Sequence, residues 1–131
     1  MLFQLRQEVP ANTQEDNPLR VEMPISEGTV KSVLIRWRWG SGNLCGCRIL
    51  YAGFQIWPLS LGAWFVSNVQ DVSFEENMAI AGVPHVFQIE AYNQDDTFPH
   101  TLEVAISIVR EHLPAKLEEL LVFLETGENV T

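Results

Sequence analysis

The sequence predicts a mainly β chain: an antiparallel β-sandwich or jelly roll with an extended N-terminal arm and a short C-terminal amphipathic helix. Three observations predict it. Short runs of alternating apolar and polar residues recur from Leu19 to Arg110, separated by Gly, Pro, Asn and Asp. No helical pattern of about ten residues or more interrupts them, which counts against βαβ units. Beyond Arg110 the apolar period becomes that of a helix.

The elements follow in order. Residues 1–6 (MLFQLR) suit a short strand, and Gln7 to Pro18 is polar, holds two prolines and has no apolar period. Residues 1–18 are therefore expected as an arm, and 19–112 as the sandwich domain. Thr29 to Trp39 alternates, with Val33, Ile35, Trp37 and Trp39 on one face and Arg36 and Arg38 on the other. Gly40-Ser41-Gly42-Asn43 supplies a turn and Leu44 to Tyr51 a second strand, so 29–51 is expected as one hairpin. Phe54 to Trp57 is a short strand stopped by Pro58, and Leu59 to Gly62 is a loop. Ala63 to Val66 resumes extended structure, and Val72 to Phe74 and Met78 to Ile80 are short strands. His85 to Tyr92 and His100 to Arg110 are longer ones. The polar loop Asn93 to Thr97 between them predicts a second hairpin.

The last segment, 113–131, is expected as a helix and tail. Pro114 suits a first helical turn and Gly127 a C-terminal cap. Leu113, Leu117, Leu120, Leu121 and Leu124 draw one stripe, with Glu118, Glu119 and Glu125 largely off it. So short a helix is marginal alone, so it is expected to dock on its own sandwich or on a neighbouring subunit.

Composition narrows the function. The chain has 131 residues, 47% apolar and 19% charged, enough for one domain with a buried core. Lys plus Arg is 8 against 17 Asp plus Glu, for a net charge of −9. That balance disfavours direct contact with nucleic acid or an anionic membrane, both of which need clustered Lys and Arg. The ends supply most of the charge: −3 over residues 1–28, −2 over 29–110 and −4 over 111–131. MLFQLRQEVP has neither the basic start nor the apolar stretch of a signal peptide, so a signal-directed secreted protein is not expected.

No motif places a catalytic residue, and no cofactor is implied. Cys45 and Cys47 share a strand face, and with His85, His100 and His112 scattered they are expected as buried free thiols rather than zinc ligands. Asn93, Asp95 and Asp96 are expected to serve a turn rather than calcium, and His100 lies close enough in sequence for an Asp–His pair. Trp37 and Trp39 belong to the core face. Trp57 and Trp64 flank the 58–62 loop and are expected as an exposed aromatic rim, suited to a subunit interface or to a sugar. Arg36, Arg38 and Arg48 are expected on one face of the first hairpin, as a solvated face or a landing strip for another copy's acidic arm.

Gln55-Ile56-Trp57-Pro58, Ile89 to Asp96 and Pro99-His100-Thr101 give residues 24–110 a texture that resembles small β-sandwich accessory proteins of tailed bacteriophage particles. The resemblance implies a structural, non-enzymatic role in a virion, as a capsid decoration or cement protein or a minor head protein. The expected partners are copies of the same chain, in a homo-oligomer, or the major capsid protein. The particle would be made in the host cytoplasm. The interface candidates are Trp57, Trp64, Arg36, Arg38, Leu117, Leu120, Leu121 and Leu124. The alternative is a carbohydrate-binding β-sandwich module that uses the exposed aromatics.

Overall fold

A computed structural model describes residues 1–38, 41–67 and 71–110. The described residues form strands β1 (Leu2–Val9), β2 (Leu19–Pro24), β3 (Gly28–Trp37), β4 (Cys45–Tyr51), β5 (Phe54–Trp57), β6 (Phe65–Val66), β7 (Val72–Ile80), β8 (Val86–Asn93) and β9 (His100–Val109). They make two antiparallel sheets. The first has the order β1-β9-β3-β7, and the second β2-β8-β4-β5 with β6 also pairing β4.

Period-two patterning produces this arrangement. β9 buries Leu102, Val104, Ile106 and Ile108 while the residues between them stay half-buried, and β1 and β7 alternate in the same way. Each strand thus has one apolar side to remove from water. Val33, Ile35 and Ile106 of the first sheet join Met23, Ile49, Phe87 and Ile89 of the second in one core. A bulge between Val30 and Ser32 lets both Val30 and Val33 point inward. Gly28 opens β3 with φ +143°, and a Cβ there would collide with Ile108 and the Val109 carbonyl, so only glycine fits.

Both expected hairpins are corrected. β3 and β4 lie in different sheets, as do β8 and β9. The chain therefore changes sheet between β3 and β4 and between β8 and β9 instead of reversing within one. The hairpin that does form joins β4 to β5 through Ala52 and Gly53, both at positive φ, as a two-residue turn requires. The arm expected over 1–18 is corrected as well. Leu2–Val9 pairs along its whole length with β9 because Phe3, Leu5, Gln7 and Val9 alternate toward the core. The stretch after it is pinned to the end of β8, where the Asn93 amide donates to the Thr13 carbonyl at 2.9 Å. Val72–Ile80 forms one strand, joining the two short runs expected there.

Candidate functional site

β8 departs from the alternation. Ile89 and Ala91 face the core, yet Glu90 and Tyr92 on the opposite side are only 2% and 5% exposed. Register explains what covers them. Arg20 of β2 and Arg48 of β4 both lie opposite Glu90. Arg48 Nε donates to Glu90 Oε1 at 2.7 Å, and Arg20 donates to Oε2 through Nε at 2.9 Å and through a terminal nitrogen. Burial alone would push the Glu90 carboxyl up, but these two guanidiniums hold it below the ordinary glutamate value. Two register positions along, on the same face, Gly46 lies opposite Tyr92, and a Cβ on Gly46 would overlap the phenol ring. Trp64 stands edge-on to Tyr92, with ring centroids 4.9 Å apart, and the Arg48 guanidinium lies 4.1 Å from the Trp64 ring centroid. Burial, with the charge of Glu15 second, raises the Tyr92 phenol above its usual range.

Beside this cluster lies an open recess of about 510 Å³, walled by Trp64, Arg48, Gln14, Glu15, Asp16 and Gln94. An aromatic wall with carboxylates, amides and a guanidinium around it can grip a hydroxyl-rich ligand, by apolar contact on one side and hydrogen bonds on the other.

Trp57 is elsewhere. It is 5% exposed, packs on Phe74 and Phe87 at centroid distances of 5.8 and 5.3 Å, and donates its indole N–H to Glu76 Oε2 at 2.9 Å. The exposed rim expected of Trp57 is thus corrected: the indole fills the core because it bridges Phe74 and Phe87, which lie in opposite sheets. Trp64 is half-buried. The loop between the two tryptophans is held by one side chain. The Gln55 amide nitrogen lies 2.7, 2.9 and 3.0 Å from the carbonyls of Pro58, Ser60 and Ala63, and its oxygen accepts from Gly62 N at 3.1 Å. On this fixed loop Leu59 and Leu61 are 82% and 91% exposed.

Arg36 and Arg38 stand on the outer face of the first sheet and share Glu103, at 3.1 Å to Oε2 and 3.3 Å to Oε1. Arg6 of β1 lies opposite the same glutamate. Arg48 does not join them; it belongs to the second sheet, so the expected three-arginine face does not form.

Cys45 and Cys47 are free and fully buried. Burial pushes the Cys45 thiol up to about 12 and the Cys47 thiol higher still. Asn93 Oδ1 accepts from Asp95 N, and Asp95 Oδ1 from Thr97 N and Phe98 N, the turn-making role expected of this loop. Asp95 Oδ2 also lies 2.8 Å from His100 Nε2. The amides of Thr97 and Phe98, with His100, keep the Asp95 carboxyl below its ordinary value. Among the described residues no group of three or more His, Cys, Asp or Glu side chains could hold a metal ion. Leu117, Leu120, Leu121 and Leu124 lie outside the described residues.

The Glu90 cluster, the Gln55 brace and the Trp64 recess escape a reading of the sequence. The first and third depend on which strands are neighbours, and pairing leaves no local signal; the brace lies within eight residues, but no residue pattern marks Gln55 as the side chain that closes the loop. Comparison with protein-family models, with curated proteins and with solved structures finds no significant match for this chain.

Proposed function

We propose that the chain is a non-enzymatic structural subunit that assembles with other protein subunits, as a virion decoration, cement or minor head protein does. The observation that carries this reading is the Gln55-braced loop, which holds Leu59 and Leu61 almost fully in water. Two neighbouring leucines kept exposed on a fixed backbone lose little entropy on docking, which suits an interface anchor. The strand order agrees with it. Facing sheets ordered β1-β9-β3-β7 and β2-β8-β4-β5 support an eight-strand jelly roll with β6 as an addition, and jelly rolls build viral capsid and lectin domains. That support is by analogy of fold.

The test is solution mass against concentration. The intact chain is expected to exceed its monomer mass of 14.9 kDa. The double variant Leu59→Ser, Leu61→Ser is expected to remain folded and stay monomeric. A wild type that is monomeric at every concentration and indifferent to capsid shells would overturn the proposal.

A second reading, a carbohydrate-binding module, is favoured by the Trp64 recess with its amides and carboxylates. Trp64→Ala separates the two. Loss of retention on a polysaccharide column with assembly intact supports the sugar site. Unchanged retention removes it.

A further inference from the structure

The outermost strands of the two sheets differ in how they meet water. β7 closes one side of the first sheet with a bulge in its pairing to β3 and with the adjacent Glu75 and Glu76. In the second sheet β2 is six residues long and closes with Pro24, and β5 is four residues long and is stopped by Pro58. Bulges, clustered charge, proline and shortness all discourage another strand from adding to an edge. β1 has eight residues, no proline and an unbroken register with β9. Met1 and Ile108 exchange both backbone hydrogen bonds, at 2.6 and 2.8 Å, so by alternation Phe3, Leu5, Gln7 and Val9 also bond toward β9. The N–H and C=O groups of Leu2, Gln4, Arg6 and Glu8 therefore point the other way, where no described strand pairs with them. The outward carbonyl of Glu8 accepts from the Gln7 side-chain amide at 2.9 Å instead.

We infer that this edge pairs with β1 of a second copy, antiparallel about a two-fold axis centred on Leu5. The strand's own residues select the register. Core-side residues must meet core-side residues, because a one-residue slip would turn Phe3 and Leu5 to the outer face. Centring on Leu5 sets Gln4 opposite the second copy's Arg6 and Leu2 opposite its Glu8, so all the outward groups exchange bonds, about eight in total. Centring on Arg6 would set two guanidiniums directly against each other, which destabilises a strand pair. Centring on Gln7 would bring Gln4 opposite Pro10, which has no N–H to give. Centring on Gln4 would shorten the overlap of the two strands. On the inner side the two Leu5 side chains, half-buried at the rim of the core, meet each other. One strand pair is small beside the ~1,200 Å² of a stable interface. Alone it holds two copies weakly, and it gains strength where another contact has already gathered them. It uses no residue of the Leu59–Leu61 loop and so goes beyond the reading above.

The test is disulfide trapping in the intact chain carrying Leu59→Ser and Leu61→Ser, so that the loop contributes nothing. Leu5→Cys is the probe, and Phe3→Cys and Gln7→Cys, two residues away on the same face, are the controls. Cys45 and Cys47 do not compete, being fully buried. Under mild oxidation Leu5→Cys is expected to form a covalent dimer about tenfold or more faster than either control, because only position 5 meets itself across the axis at a distance a disulfide can close. Adding Gln4→Pro is expected to lower that rate to the control level with the fold retained, since the N–H it removes points away from β9. A mixture of Gln4→Cys with Arg6→Cys repeats the measurement at exposed positions should Leu5→Cys disturb packing. The two are expected to link to each other and neither to itself. Equal rates at positions 3, 5 and 7, a fastest rate at Phe3→Cys or Gln7→Cys, or a Leu5→Cys rate untouched by Gln4→Pro overturns the inference, and each leaves the loop's role standing.

Discussion

Each sheet pairs one glutamate with two arginines on its outer face, and the two trios behave differently. In the second sheet the Glu90 side chain is 3% exposed, with arginine nitrogens at 2.7 and 2.9 Å. In the first, Glu103 is 27% exposed, with nitrogens at 3.1 and 3.3 Å. The composition is the same, and the difference is what lies beside it. Trp64 covers Arg48, and Tyr92 fills the next position on the same face, over Gly46. Ala105 and Leu34 flank the Arg36–Glu103 pair at the same distance along their strands. A buried trio must be complete, because a guanidinium or carboxylate left alone away from water is costly. An exposed trio contributes little and is free to meet another charge. The second sheet thus completes its own outer face, and the first presents one.

Substitutions break or sharpen this contrast. The largest effect is expected at Trp57, which belongs to the core: Trp57→Ala should cost about 3–5 kcal/mol in urea unfolding. A cost below about 1 kcal/mol would return that indole to the surface. Glu90→Gln follows, at about 3 kcal/mol, because Arg20 and Arg48 lose their shared carboxylate. Glu103→Gln should cost less than about 1 kcal/mol. Equal values would erase the distinction between the sheets. Gly46→Ala should destabilise by about 1–3 kcal/mol as Tyr92 is displaced from Trp64. Tryptophan fluorescence would report that movement directly.

Acid sharpens the same comparison with a smaller effect. Glu90, Asp95, Glu76 and Glu103 all titrate below their ordinary values when folded. A depressed carboxylate stabilises the native state above the unfolded pKa, about 4 for these groups, and that contribution is lost as pH falls through the folded value. The thermal midpoint should therefore hold near neutrality and fall below about pH 4. Glu90→Gln should show a flatter acid limb than wild type. Glu103→Gln should change it less.

Most strands were legible because each carries its own alternation. Phe54–Trp57 ends where Pro58 removes a donor, and β9 declares its face through Leu102, Val104, Ile106 and Ile108. Pairing was not legible. Gly40-Ser41-Gly42-Asn43 has the residues of a hairpin turn, yet it lies between strands of different sheets, and the hairpin uses Ala52-Gly53, with alanine at a φ that Asn or Gly adopts more readily. An apolar face satisfies the core whether its chain neighbour is beside it or opposite. Alternation alone therefore places Arg36 and Arg48 on one surface, whereas they stand on two. The burial of Glu90 and Tyr92 was hidden for the same reason, since the residues that cover them arrive from β2, β4 and the 62–64 segment.

Assembly through a held surface is tested most directly by the solution mass of Gln55→Ala. This change leaves Leu59 and Leu61 in place and removes only the side chain that fixes their loop. The prediction is a protein as stable as wild type to within about 1 kcal/mol, since the loop is exposed, that associates at least about tenfold more weakly because the loop must now be ordered on docking. Association at full strength, with the loop unbraced, would contradict it.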